Sequence, residues 1–494
     1  MKESELQNKS PIFSGTIIKK YAVNPALMSE QSVWNYQQLA GIVEKTTRTL
    51  NKAGFNKNEK VAILSSNSLE YVILLLTLWR EGIIAVPLNV HWPIQLIEKS
   101  LNNLPCFKVA VSKNFLHLFS KEKFEQYSLE DLVALYNSRQ SNQVDDEFSF
   151  DLRQKATIIY TSGSSAEPKA VLHTLGNHYY SALGSNQNIP FSSGDRWLLS
   201  LPLYHVGGLS IIFRTLLTGG TLVIHPINKA MEEMITEYQI THISLVATQF
   251  QRMLHTSGIK DFLSEMKAIL LGGGPIPVSL LSKAADARLP VFHSYGSTEM
   301  ASQITTTRSG ELFEKLKTAG KLLPYREMQI TADKEILVKG ETLCQGYIQD
   351  GKLIRISDTE GWFHTGDIGE LDKDGYLHVL GRKDNMFISG GENIQPEEIE
   401  QVIRQINGVE EVVVVPMDDV EYGQRPVAFI KIQEDQMQED NIKVIKVSLK
   451  KVLPRFKIPD HFFPWPWKEN MGETLKIDRQ NFRLLAEQIL RKQQ

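Results

Sequence analysis

An α/β fold built on parallel sheets, with a smaller antiparallel unit and a separate C-terminal domain, is the architecture the sequence predicts, and three observations predict it. Over roughly the first 300 residues, short apolar runs alternate with amphipathic stretches of helical length, the rhythm of βαβ units. Between residues 327 and 381 the pattern changes to alternating strands separated by Gly and Asp turns. Residues 382–494 then carry their own helices and strands, enough chain for an independent domain.

Taken in order, residues 61–66 (VAILSS), 69–81 and 83–88 (IIAVPL) read as strand, helix, strand. The apolar run 71–79 is bounded by Glu70 and Arg80 and is far shorter than the roughly 20 residues a bilayer requires, so it reads as a buried helix. The polar stretch 138–147 is a surface connection between two blocks. The strand rhythm resumes with TIIY and continues through residues 196–201, 221–224, 241–246, 268–271 and 290–295, so parallel sheets sandwiched between helices are expected. The segments EILVKG, WFHTGDIGEL and KDGYLHVLG make up the antiparallel unit. A helix over 396–406 is marked by Pro396 at its start, with Glu397 and Glu398 suited to the positive end of its dipole. Strands at 411–415 and 426–432 and two further helical stretches follow. The expected division is 1–381 and 382–494.

With 42% hydrophobic and 22% charged residues, the composition is that of a soluble globular protein. A net charge of -3 gives no reason to expect nucleic acid or an anionic membrane as partner, and leaves a homo-oligomer open. The N-terminus lacks the apolar core of a signal peptide. Two cysteines with no CxxC or Cys/His cluster support neither a disulfide framework nor a zinc site, and a cytoplasmic location is expected.

The stretch YTSGSSAEPKAV (residues 160–171) is a phosphate cradle by composition. Backbone N–H groups crowd an anion only where side chains are small, and hydroxyls add donors. It fits neither a Walker A loop nor a dinucleotide loop, and a Ser-rich surface turn is the alternative. GGGP, at Gly272, Gly273 and Gly274, follows a strand and would let a flat ligand approach the backbone, or would simply make a tight turn. YGSTEM combines the aromatic Tyr295, a hydroxyl at Thr298 and the carboxylate Glu299. Asp367 lies between glycines in HTGDIG, where it could accept ribose hydroxyls or form a plain Asx turn. GRKDN…GGENI holds Arg382, Asp384, Gly390 and Gly391, and Lys476 lies in ETLKIDR.

In this order, with LPLYH added, these motifs resemble the adenylate-forming superfamily of acyl- and aryl-CoA synthetases, luciferases and adenylation domains, from about residue 30 to the C-terminus. The resemblance implies that superfamily's fold: doubly wound parallel sheets with an antiparallel barrel-like unit, and a mobile α+β C-terminal domain. It implies an ATP-dependent ligase: a carboxylate attacks the α-phosphate of ATP, and the thiol of CoA then displaces AMP. By resemblance, Thr161, Ser162, Gly163, Ser164, Ser165 and Lys169 hold the β- and γ-phosphates, Thr298 the α-phosphate, and Glu299 binds Mg2+. Gly272, Gly273, Gly274 and Tyr295 surround adenine, and Asp367 and Arg382 hold the ribose. Lys476 bridges the acid and the α-phosphate, and Asp384 is the hinge. Gly390 and Gly391 border the thiol channel, and His205 gates the acyl carboxylate.

Three positions depart from the superfamily pattern: Ala166 and Ala170 where its loop has glycine, and Leu475 where glycine precedes the lysine. Alanine held at positive φ would cost on the order of 1 kcal/mol. Residues 173–189 and 195–224 are similar to the o-succinylbenzoate-CoA ligases, including GNHYYSA and Arg214. That substrate is a dicarboxylate, and its second carboxylate needs a partner inside an apolar pocket. Arg214, with His205 or Ser302 and intervening water, is the expected partner. The alternatives are a fatty-acyl or aryl-CoA synthetase with another pocket, or a weakened nucleotide-binding relative.

Overall fold

The computed structural model describes residues 9–10, 13–119, 122–133, 150–161, 168–226, 228–406, 408–432, 439–466 and 479–493. Two large sheets dominate. The first has eight strands in the order Lys352–Ile354, Gly346–Gln349, Lys169–Thr174, Lys155–Thr161, Ile84–Pro87, Lys60–Leu64, Lys108–Val111, Glu125–Ser128. The second has nine: Lys321–Leu322, Ser302–Thr306, Val291–Ser297, Ala268–Leu271, His242–Leu245, Arg196–Leu199, Thr221–Ile224, Pro25–Met28, Val33–Asn35. Both are parallel through their centres, as the βαβ rhythm predicts; the second is antiparallel at both edges, the first only on the side that ends at Lys352–Ile354.

The helix Leu69–Arg80 lies between the two sheets. Every residue from Tyr71 to Trp79 is buried, so its near-continuous hydrophobicity is that of a helix covered on all sides. Ser68 Oγ caps it by accepting from Tyr71 N at 3.1 Å. Its core includes Ile63 and Ala85 of the first sheet and Leu199 and Leu222 of the second, so one core serves both. Each fully buried Leu there contributes about 1.5–3 kcal/mol.

Between these sheets and the C-terminal elements stands a four-stranded antiparallel sheet: Arg326–Ile330, Glu335–Gly340, Phe363–Leu371, Leu377–Arg382. Beyond it, Val409–Asp419 and Gly423–Ile432 form a long hairpin joined in parallel by His461–Pro464. Strand periodicity divides the side chains of that sheet cleanly. Val412 and Val414 enter one core with helices Pro396–Arg404 and Glu439–Val452. Val413 and Val415 enter another with Phe482 and Ala486 of helix Arg479–Gln493.

The strands on either side of the cradle, Lys155–Thr161 and Lys169–Thr174, pair antiparallel. One expectation needs correction. Asp367 sits not in a turn but inside the strand Phe363–Leu371, where a register shift beside it re-aims the side chain. No helix among the described residues is long and apolar enough to cross a membrane.

Candidate active site

Open α/β sheets bind ligands beyond the carboxyl ends of their strands, where strand order reverses. In the second sheet that point is at Arg196–Leu199, which has Thr221–Ile224 on one side and His242–Leu245 on the other. After Ser200 comes LPLYH, ending at His205, the N-cap of helix Val206–Leu216. In the first sheet the reversal is at Lys60–Leu64, followed by Asn67. Asn67 joins the two points. Its Nδ2 donates to Leu201 O (2.9 Å) and Leu199 O (3.4 Å), and its Oδ1 accepts from Leu203 N at 3.0 Å. Gly208 brings the helix tight against the same loop, since a Cβ there would lie 2.2 Å from Pro202 O. His205 is thus held from both sides, next to a small cavity lined by Trp92, Tyr160 and Tyr204. Burial pushes its imidazole down to about 4, so it is neutral at pH 7.

A second group forms where the nine-stranded sheet meets the antiparallel one. Tyr295 Oη donates to Asp367 Oδ2 at 2.6 Å, and Arg382 Nη1 donates to Asp367 Oδ1 at 3.0 Å. Burial, then the adjoining Asp367 carboxylate, hold the Tyr295 phenol well above its ordinary value. Arg382 also reaches Asp384 at 3.1 Å, which ties the ribose candidates to the proposed hinge residue. Gly272, Gly273 and Gly274 open onto this region. A Cβ at Gly272 would meet Ser294 Oγ at 2.8 Å, Gly273 has φ +84°, and Gly274 has open space.

The third group grips the turn that carries Thr298 and Glu299. Tyr347 Oη donates to Glu299 Oε1 at 2.8 Å, Cys344 N to Glu299 O at 2.7 Å, and His173 Nε2 to Thr298 O at 2.7 Å. All three donors come from the first sheet or the segment leading into its edge, while the turn belongs to the second. Lys169 Nζ lies 5.1 Å over the ring of Tyr347, the tyrosine that donates to Glu299. Thr161 ends the strand leading into the cradle. Ser162, Gly163, Ser164, Ser165 and Ala166, with Leu475 and Lys476, lie outside the described residues. Ala170 carries none of the cost expected of it. It pairs with Tyr160 and Ile348 in extended strand and is not among the residues at positive φ.

Arg214, 1% exposed, lies in the last turn of helix Val206–Leu216 and donates through Nη2 to Ser302 Oγ at 3.2 Å and to Gln303 Oε1 at 2.8 Å. The Arg214–Ser302 contact is therefore direct. Its Nε finds no hydrogen-bond partner among the described residues. In the C-terminal region, Gly390 and Gly391 have φ +58° and +87°, conformations glycine adopts without strain, and Gly390 N donates to Tyr422 O at 2.8 Å. The sequence reading missed Asn67, Tyr347 and His173, whose partners are remote in sequence. Neither short motif nor spacing marks them.

The AMP-binding enzyme family model matches residues 16–348, and its C-terminal domain model matches residues 398–466. The chain belongs to the AMP-binding enzyme family. Within this family it is 34% identical over 428 residues to the 2-succinylbenzoate–CoA ligase of Bacillus pumilus, covering 83% of this chain and 87% of that one. Among solved structures of the family, it superposes on the o-succinylbenzoate CoA synthetase of Bacillus subtilis in complex with the acyl-adenylate intermediate OSB-AMP. The TM-score is 0.82 at 28% identity, covering 96% and 98% of the two chains. The same Bacillus subtilis enzyme in complex with ATP and magnesium ion gives a TM-score of 0.81 at 28% identity, covering 96% and 99%.

Proposed function

We propose that this chain adenylates 2-succinylbenzoate with ATP and transfers the acyl group to CoA, giving the CoA thioester, AMP and pyrophosphate. The observation that carries the substrate assignment is Arg214: a guanidinium 1% exposed, with no carboxylate partner among the described residues, in the helix that His205 caps. A fatty acid's tail offers such a cation nothing. A second carboxylate on the substrate offers it a charge-assisted hydrogen bond.

In the first half-reaction an oxygen of the succinyl carboxylate bonds to the α-phosphorus and the bond to pyrophosphate breaks. Carboxylate and triphosphate repel each other, so the residues around them must supply donors and cations where charge develops. Thr161, Ser162, Gly163, Ser164, Ser165 and Lys169 hold the β- and γ-phosphates, Thr298 the α-phosphate, and Lys476 bridges the phosphate and the acid. Glu299 fits a magnesium ion, because Mg2+ takes one or two carboxylates plus phosphate oxygens and waters rather than an all-protein cage. No cluster of three or more metal-binding side chains exists among the described residues. When bound, the ion neutralises phosphate charge. Neutral His205 positions the attacking carboxylate without adding charge. Asp367, oriented by Tyr295 and Arg382, accepts from the ribose, and Gly272, Gly273 and Gly274 leave room for adenine.

In the second half-reaction the thiolate of CoA attacks the acyl carbon and AMP leaves. Residues 382–494 turn about Asp384 against residues 1–381, withdrawing Lys476 and bringing Gly390 and Gly391 to the thiol path. The test is CoA-ester formation across a panel of acids. Preference for 2-succinylbenzoate over benzoate and fatty acids is expected, and equal rates on all of them refute the assignment. Lys476→Ala should lose adenylation while still converting supplied acyl-AMP to thioester; equal loss of both steps refutes the rotation.

A further inference from the structure

Arg214 is not the only buried cation lacking a counter-charge. Arg326, at the start of strand Arg326–Ile330, is 5% exposed. Its Nη1 donates to Pro324 O at 2.7 Å, while Nε and Nη2 have no partner among the described residues. Among the described residues, the hydrogen-bond acceptors of the two guanidinium groups are Ser302, Gln303 and the Pro324 carbonyl, none of them a carboxylate. Both gather round the second half of helix Leu175–Asn188. Gly184 faces Arg326 so closely that a Cβ would lie 2.8 Å from its Nη1. Asn186 Nδ2 donates to Arg214 O at 2.9 Å. Between them Ser185 is fully buried, and its hydroxyl has no described partner. Arg326 is near enough that its charge, after burial itself, helps push the Arg214 guanidinium down to about 9. At neutral pH both remain charged.

Burying one unpaired cation is expensive, and burying two against one helix more so, unless an anion completes the arrangement. The backbone around them is strained as well. Ser302, which Arg214 contacts, has φ +118°, and Tyr325, which precedes Arg326, has φ +68°. Such strain concentrates where a ligand is held.

We infer that Arg326 is the second half of an anion-binding pair with Arg214, that Ser185 Oγ supplies a further donor, and that the group the pair takes is the ring carboxylate of an aromatic dicarboxylic acid. This rests on the ligase reading above and assigns it a specificity-determining residue. A carboxylate has two oxygens and about four lone-pair sites, enough for one donor from each guanidinium and the serine. Gly184 is small because the Arg326 side chain passes over it.

The test is steady-state CoA-ester formation by the full chain carrying Arg326→Met or Arg326→Lys. The substrates are 2-succinylbenzoate and 4-oxo-4-phenylbutanoate, which lacks the ring carboxylate. For Arg326→Met, KM for the dicarboxylate should rise by about 10-fold or more, with KM for the monocarboxylate unchanged within about twofold. Arg326→Lys should recover part of the loss. The melting temperature of ligand-free Arg326→Met should equal or exceed that of the parent, because an uncompensated charge has gone. Unchanged KM for the dicarboxylate, or equal rises for both acids with a lowered melting temperature, overturns the inference and leaves the ligase reading standing. A parent enzyme that activates both acids equally well overturns the substrate reading, and the inference with it.

Discussion

Replacing Gly208 by alanine tests whether the loop before His205 is held as tightly as the geometry indicates. A Cβ at 208 would lie 2.2 Å from Pro202 O and 2.5 Å from Leu201 O, both backbone atoms that cannot rotate away. Ordinary contact needs about 3.5 Å, so helix Val206–Leu216 and the loop must part by about 1 Å. Asn67 anchors the loop from the other side through Leu201 O and Leu203 N, so the shift falls on the helix and on His205 at its start. A misplacement of that size at a positioning group costs about 100-fold, or about 2.7 kcal/mol of transition-state stabilisation. Gly208→Ala should therefore lower kcat/KM for the acid by about two orders of magnitude, while ATP binding measured by calorimetry stays within about threefold. Gly207→Ala is the control. Its Cβ would meet only Leu201 Cδ1 at 3.2 Å, a side-chain atom that can move. Full activity in Gly208→Ala, or equal losses in both variants, would refute the reasoning.

Asp367→Asn keeps the shape but weakens the bonds from Tyr295 and Arg382, and should raise KM for ATP by roughly 10-fold to 100-fold, read from initial rates at saturating acid. Arg479 donates to Glu397, Glu400 and Val414 O, and Glu400 is 1% exposed. Among the described residues, Arg479→Ala leaves that buried carboxylate with Arg404 and Val414 N, and should cost about 3 kcal/mol in urea unfolding of the C-terminal region. Buried His173 and His242 are each pushed down to about 4 by burial, below the roughly 6.5 of an unfolded histidine. The unfolded chain therefore binds more protons between those values, so their contribution is complete above about pH 6.5 and is lost as pH falls towards about 4. The urea midpoint should drop across that interval, and His173→Gln should flatten the drop. An unchanged slope in the variant would show that His173 is not among its causes.

The strands and the order of the motifs were legible in the sequence because apolar periodicity and Gly-rich turns are local signals. The helix Leu69–Arg80 was legible for the same reason. What the sequence did not disclose depends on pairing across long separations. The antiparallel pairing of the strands flanking the cradle is one such case: nothing in YTSGSSAEPKAV announces it, and the pairing of Ala170 with Tyr160 shows it. That pairing also removes the penalty expected at Ala170, which assumed a left-handed residue at a position that is extended strand. Asp367 stands out in the sequence as a carboxylate among glycines, but its bonds to Tyr295 and Arg382, which come from different strands, do not. Arg326 gave no signal at all, since a lone arginine near a turn is ordinary until its burial is known.

The contacts of Asn67, His173, Cys344 and Tyr347 share one consequence. Each runs from the first large sheet, or a loop beside it, to a segment of the second. The attacking acid is assigned to the second sheet and the departing phosphates to the first, so these few bonds set the alignment of nucleophile and leaving group. Small relative slips of the sheets would spoil that alignment while both cores stayed packed. Heat inactivation should then precede melting, and the gap between the two temperatures would measure how firmly the sheets are stitched together.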